Sequence, residues 1–208
     1  MRILITGAGG NLGPCIVKEL EKLHTLRVTD LKPMETHHEY LKVDVASFEE
    51  VRQAVEGMDA VVNLTVVRDH PQLGFDVNVW GAYNVCRACV EHGVGRLVHT
   101  GPVLGPAPYP IGYRSDYRVD ESAPPRPGSG IYSLTKHLAE EICRTFSRSH
   151  GLSVVGIRLS GIFKHKEWPH QYFWGQAVQE EDLGQAVCLA VAAKKLPSNF
   201  EVFNIFCD

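Results

Sequence analysis

Residues 2–13 read RILITGAGGNLG, an apolar β-branched run that breaks into glycines at positions 7, 10 and 13. A short apolar run bounded by glycine reads as a buried strand, RILIT (2–6). The pattern that follows it, NLGPCIVKELEKL (11–23), reads as a helix. A chain turning sharply from strand into helix needs a residue without Cβ, and so does backbone that approaches a pyrophosphate closely. The helix N-terminus then offers unpaired N–H groups and the positive end of its dipole to an anion. A glycine triplet alone also serves any tight turn, so its meaning depends on what the chain places around it.

Working outward, strand-like and helix-like segments alternate. LRVTD (26–30), YLKVD (40–44), DAVVNLTV (59–66), RLVHT (96–100), SVVGIRL (153–159) and EVFNI (201–205) have strand character. Between them lie four helical patterns: SFEEVRQAVEG (47–57), FDVNVWGAYNVCRACVEHG (75–93), IYSLTKHLAEEICRTFSRSHG (131–151) and EEDLGQAVCLAVAA (180–193). The first of these opens on Ser47 with Glu50 three residues on, a capping-box pattern. The alternation predicts an α/β fold, a Rossmann-type doubly wound parallel sheet with helices on both faces. A single domain over 1–208 is expected, with a small C-terminal substrate-binding extension in 160–208. One connection, 101–130, is far longer than ordinary connections and is rich in Pro, Gly and Tyr. Loops of that length are usually functional or disordered, and this one leads directly to Tyr132.

Composition narrows the class. The 208 residues are 44% hydrophobic and 22% charged, the balance of an ordinary globular protein. A net charge of -3 and the lack of a basic stripe argue against nucleic-acid binding. No apolar run approaches the roughly 20 residues that span a bilayer, and the N-terminal run breaks into glycines too early for a secretory signal. Among six cysteines, Cys86 and Cys89 form a C-x-x-C inside a helical pattern with no second ligand pair nearby. They read as packed reduced thiols, and the cytoplasm is the expected location. His165 and His170 have no acidic partner at ligand spacing, so a lid over the substrate is expected there and no metal.

Three further features give the glycine turn a context. Asp30 ends the second strand, where a carboxylate accepts hydrogen bonds from adenosine ribose hydroxyls and repels a 2′-phosphate, which favours NAD over NADP. Asp44 and Val45 follow the third strand, where adenine would lie, although Asp44 could equally serve a helix-capping turn. Tyr132 and Lys136 are four apart, one turn on the same helix face. The candidate cofactor-binding residues are thus Gly7, Gly10, Asn11, Leu12, Gly13, Asp30, Asp44 and Val45.

The G-x-x-G-x-x-G turn and the Y-x-x-x-K after the fifth strand together resemble the short-chain dehydrogenase/reductase superfamily. The glycine spacing is similar to its extended branch, the NAD-dependent epimerase/dehydratase family. The resemblance runs from Met1 to about Leu159, with weaker echoes in EEDLGQAV and EVFNI. It implies that Tyr132 is the general acid/base and that Lys136 favours its phenolate and holds the nicotinamide ribose. It also implies a hydroxyl at the end of the fifth strand to orient the substrate oxygen. HTGP stands there in place of a serine pair, so Thr100 is the candidate and His99 replaces the first serine. Asn78 matches an asparagine that family members carry, tying its helix towards the active site, so the resemblance adds Asn78, Tyr132 and Lys136 to the candidate cofactor-binding residues. A homodimer through the helices 75–93 and 131–151 is implied as well. The chemistry agrees: a phenol of ordinary pKa near 10 is about one part in a thousand ionised at pH 7, and a neighbouring ammonium raises that fraction.

The chain ends soon after its last strand, as a fragment or an unusually short family member would. The short tail points to a small substrate, a sugar or sugar acid. Its proportions and PPRPGSGIYSLTK are similar to the uronate dehydrogenases, which oxidise C1 of a hexuronate to a lactone. Where those enzymes place polar residues after the serine pair, this chain has Gly101 and Pro102. FKHKEWPHQYFW (163–174) offers Lys164, His165 and Lys166 to a carboxylate but no arginine. Arg158 is expected to pair a carboxylate near the sheet edge. The leading expectation is an NAD-dependent oxidoreductase. The alternatives are a nucleotide-sugar epimerase or dehydratase with tightly held NAD, and a non-catalytic dinucleotide-binding protein.

Overall fold

The computed structural model describes residues 1–101, 120–122, 130–159, 161–163 and 177–205. The first half runs β1 (Arg2–Thr6), α1 (Gly13–Leu20), β2 (Thr25–Asp30), β3 (Glu39–Lys42), α2 (Phe48–Val55) and β4 (Ala60–Asn63). A single turn α3 (Pro71–Leu73), a π-helix (Gly74–Trp80), α4 (Gly81–Glu91) and β5 (Arg96–Thr100) follow. The second half holds α5 (Ile131–His150), β6 (Val154–Arg158), β7 (Gly161–Phe163), β8 (Ala177–Gln179), α6 (Glu180–Ala192) and β9 (Phe200–Asn204).

Seven strands form one parallel sheet in the order β3-β2-β1-β4-β5-β6-β9. Strands buried on both faces read as continuous apolar runs, which is why RILIT and AVVN lack polar alternation. Alternate residues feed two cores. Ile3, Ile5, Val62 and Val98 pack against Ile16 and Leu20 of α1 and Leu183 and Val187 of α6. Leu4, Val61 and Leu97 face the other way, against Val51 of α2, Val85 of α4 and Cys143 of α5. Each such side chain, fully buried, contributes about 1.5–3 kcal/mol, most of it offset by chain entropy. The expected doubly wound sheet is therefore present.

The chain leaves β1 for β2 and β3 on one side, then returns to place β4 and β5 on the other. The carboxyl ends of β1 and β4 thus border the point where strand order reverses, the place where open α/β sheets bind ligands.

The elements differ from expectation in three places. Ser47 precedes α2 in an extended conformation, but its side chain makes no capping bond. Glu50 instead reaches past it to accept from the Asp44 N–H at 2.8 Å, so the capping box is not formed. The helix expected from residue 75 begins as a π-helix and becomes α-helical only at Gly81. A small parallel pair, β7 with β8, was not anticipated. Cys86 and Cys89 are free, fully buried thiols, and Cys86 Sγ lies 3.6 Å from Cys143 Sγ across the α4–α5 contact. Among the described residues no helix is long and apolar enough to cross a membrane. Most of the 101–130 connection and all of 164–176, including Lys164, His165, Lys166 and His170, lie outside the described residues.

Candidate active site

The glycine turn is built as the sequence predicts. Gly7 adopts φ +72°, a left-handed conformation that L side chains rarely take, and a Cβ there would press on Thr65 N at 3.0 Å. At Gly13 a Cβ would lie 1.8 Å from Ala8 O, so only glycine lets α1 start this close to the strand end. Gly10 N–H donates to Gly7 O and Gly13 N–H to Gly10 O, each at 3.1 Å, which closes the turn on itself. Pro14 carries no N–H and the Gly13 N–H is spent on Gly10 O, so what the start of α1 offers an anion is chiefly the positive end of its dipole beside the turn.

Two adjoining clefts meet at this turn, and Gly7 and Gly10 line both. One, of about 310 Å³, is bordered by Asp30, Asp44 and Val45. Asp30 is already fixed there: Oδ2 accepts from Gly9 N–H at 3.0 Å and Oδ1 from Lys32 N–H at 3.1 Å. Each oxygen keeps a second lone-pair direction for a ribose hydroxyl. Asp44 Oδ1 accepts from Ala46 N–H at 2.9 Å in a turn before α2, and the residue also borders the cleft.

The other cleft, of about 230 Å³, brings together Asn11 and Leu12 of the turn with Thr100, Tyr132 and Lys136. Thr100 ends β5 and Lys136 stands one turn into α5, both nearly fully buried. Lys136 Nζ donates to Thr100 Oγ1 at 3.3 Å, and Thr100 Oγ1 donates to the Asn63 carbonyl, also at 3.3 Å. Both bonds are long for their type, so a substrate oxygen can compete for the hydroxyl. Burial is the chief reason that the Lys136 pKa falls from 10.5 to about 8, with Cys143 and Glu140 opposing it and the Arg68 charge adding to it.

His99 is packed away from solvent beside this pair. Its Nδ1 lies 3.3 Å from Asn63 Nδ2, and burial first, then Lys136, pushes its pKa well below 6.5. His99 is therefore neutral at pH 7 and holds the strand end in place. Gly101 also acquires a reason. A Cβ there would meet Glu140 Oε2 at 2.8 Å and Arg158 Cγ at 3.1 Å. Arg158 and Glu140, each 1% exposed, form a two-point ion pair from β6 to α5, with Arg158 Nε to Glu140 Oε2 at 2.8 Å. Arg158 thus pairs a carboxylate, one turn beyond Lys136.

Asn78 does not border either cleft among the described residues. Its Oδ1 accepts from Val67 N–H at 2.8 Å, and its Nδ2 donates to Val67 O at 2.8 Å and to Thr135 Oγ1 at 2.9 Å. Both amide protons are used, so it acts here as a tie between the segment after β4, the π-helix and the first turn of α5. Asn63 was overlooked in the sequence: its Oδ1 accepts from Thr6 Oγ1, Thr65 N and Thr65 Oγ1 while its carbonyl receives Thr100. Arg68 was overlooked too, and its guanidinium carbon lies 5.4 Å from the centroid of the Tyr132 ring. Neither residue had a motif to announce it.

Fold and clefts together define a Rossmann-type domain with a dinucleotide-sized groove at the switch point of its sheet. Residues 3–166 match the model of the NAD dependent epimerase/dehydratase family, and the chain belongs to it. A uronate dehydrogenase of Pseudomonas putida is 32% identical over 170 residues, which cover 78% of this chain and 61% of that enzyme. An L-arabinose 1-dehydrogenase (NAD(P)(+)) of Haloferax volcanii is 31% identical, over 80% of this chain and 69% of that one. A solved structure of a mutated uronate dehydrogenase superposes with a TM-score of 0.84 at 26% identity, over 98% of this chain and 74% of the other. The chain thus spans about three fifths of the length of its uronate dehydrogenase relative.

NAD is the cofactor of this family, and the donor set fits it. A glycine cradle that a Cβ would fill lies between a cleft with an available carboxylate and a cleft with a tyrosine–lysine pair.

Proposed function

We propose that this chain is an NAD-dependent oxidoreductase acting on a hydroxyl of a small sugar or sugar acid, with Tyr132 as general acid/base. The observation that carries the reading is the shared cleft of Thr100, Tyr132 and Lys136 directly beyond the glycine turn. In this reading Gly7, Gly10, Asn11, Leu12 and Gly13 receive the pyrophosphate, Asp30 the adenosine ribose, and Asp44 with Val45 the adenine. Asn78 contributes by position, through Val67 and Thr135.

NAD, when bound, supplies the hydride acceptor, and the remaining tasks fall to side chains. Tyr132 takes the hydroxyl proton of the substrate at its phenolate oxygen. Lys136, buried beneath the cleft, presents its ammonium there and donates to the neighbouring ribose. Thr100 turns its hydroxyl from the Asn63 carbonyl to the substrate oxygen and holds that oxygen within reach. Sugar oxidation is supported by the two relatives, whose names state a uronate and L-arabinose as substrates.

A homodimer through α4 and α5 belongs to the same proposal. Trp80, 53% exposed, stacks on Tyr83 at 4.9 Å, and Tyr83 meets Phe146 edge-on, which leaves an aromatic surface at that face. Size-exclusion chromatography with light scattering tests it, and a monomer at micromolar concentration would remove it.

The test of the activity is NADH formation with galacturonate, glucuronate, L-arabinose, galactose and glucose. Stoichiometric NADH release with one of them supports the dehydrogenase. Conversion of a nucleotide sugar without net NADH would establish the epimerase alternative instead.

A further inference from the structure

We infer that Arg68 is the substrate-specificity residue of the cleft, holding an anionic group of the sugar, carboxylate or phosphate, beside Tyr132. The inference deepens the proposed function and rests on it for the identity of the cleft.

Arg68 leaves the chain five residues beyond the end of β4 and lines the same cleft as Thr100, Tyr132 and Lys136. Its backbone is anchored, because both polar groups of Val67 are taken by the Asn78 amide at 2.8 Å. The same amide holds Thr135 of α5, so one side chain fixes the approach of Arg68 to the helix that carries Tyr132. At 5.4 Å from the ring centroid, the guanidinium is within range of a cation–π contact with Tyr132. Its position is therefore defined although its surface is exposed.

The charge around it is unbalanced. Arg27, Arg144 and Arg158 are each ion-paired with a glutamate, whereas no described carboxylate lies in ion-pair contact with Arg68. Among the described residues that line the cleft there are two cations, Arg68 and Lys136, and no Asp or Glu. A cleft of one sign with low-dielectric walls concentrates ions of the other sign. Lys136 is buried and hydrogen-bonded to Thr100, so the accessible cation is Arg68. A guanidinium presents a planar fork that receives a carboxylate or a phosphate through two N–H groups at once. The pyrophosphate of the cofactor already has the glycine turn and the start of α1 to receive it.

The experiment uses the full chain carrying Tyr132→Phe, which keeps the ring under Arg68 and stops turnover, loaded with NADH. Calorimetry with glucuronate, galacturonate, glucose 6-phosphate and glucose is compared with and without Arg68→Ala or Arg68→Lys. Loss of a charged hydrogen-bond pair predicts about 10- to 100-fold weaker binding of the anionic sugar in Arg68→Ala. Partial recovery in Arg68→Lys, glucose binding changed less than about 3-fold and an unaltered NADH Kd complete the expected pattern. Whether the uronates or the phosphate ester bind identifies the anion. The inference is overturned if anionic sugars bind no better than glucose, if no sugar binds, or if Arg68→Ala leaves anionic binding intact. It is also overturned if NADH affinity falls by the same factor, which would assign Arg68 to the cofactor. Failure of the function reads differently: Arg68-dependent sugar-acid binding without NAD reduction by the unsubstituted protein refutes the dehydrogenase and leaves this residue's role standing.

Discussion

Lys136 Nζ donates to Thr100 Oγ1 across 3.3 Å, joining the first turns of α5 to the end of β5. That contact links the helix that carries the proposed acid/base to the strand that carries the orienting hydroxyl. Holding a lysine there is costly, because an ammonium with little water around it is poorly solvated.

That cost has a pH signature. The Lys136 pKa is about 8 in the folded chain against 10.5 as the ordinary value. Between those limits the unfolded chain holds the proton that the folded chain has released, so stability rises with pH across the window. Below about pH 8 the burial penalty is borne in full. Urea unfolding from pH 7 to 10 should show wild type gaining on Lys136→Met by up to about 1.4 kcal/mol per pH unit above 8. The buried thiols, Cys15 among them with a pKa raised to about 11, pull stability the other way above pH 9. Cys15, Cys86 and Cys89 are common to both proteins and do not act on Lys136, so they cancel in the difference, and only Cys143, whose charge acts on Lys136, leaves a remainder there. A flat difference would show that Lys136 is not desolvated.

Asp30 is the proposed reader of the adenosine ribose. Asp30→Ala should weaken NAD binding about 10- to 100-fold, the range for a lost charged hydrogen bond, and narrow the preference for NAD over NADP. Fluorescence titration with both dinucleotides measures this. Unchanged affinity for NAD would remove Asp30 from the site.

Gly101 should not accept a side chain. In Gly101→Ala the new Cβ would stand 2.8 Å from Glu140 Oε2, inside a pair that has no room to retreat. Overpacking of this kind costs about 1–3 kcal/mol. For a chain of this size, that lowers Tm by about 2–4 °C per kcal/mol. Calorimetry showing no change would mean that the Arg158–Glu140 pair relaxes freely.

The turn and the tyrosine–lysine pair were legible because each is a local pattern whose geometry is fixed by spacing along one element. Gly7, Gly13, Tyr132 and Lys136 occupy the places that strand–turn–helix and one helical turn dictate. What stayed hidden depends on long-range pairing. Asn63 reads as one more residue of an apolar strand, and only the β1–β4–β5 register brings Thr6, His99 and Thr100 to it. Asn78 was noticed, but its partners Val67 and Thr135 are 11 and 57 residues away, so its structural duty could not be read. Glu50 fits a capping box until the preceding turn offers the Asp44 N–H. The π-helix leaves no mark in a periodicity argument because it changes the helical period for only seven residues.

One paired measurement tests whether Tyr132 moves the proton. Wild type and Tyr132→Phe are titrated with NAD and then assayed for NADH formation with the sugar that the wild type oxidises fastest. If Tyr132 does, the two NAD dissociation constants agree within about 3-fold, a difference under about 0.7 kcal/mol, and turnover is lost in the variant. Full turnover by Tyr132→Phe, with NAD bound as in wild type, would contradict it.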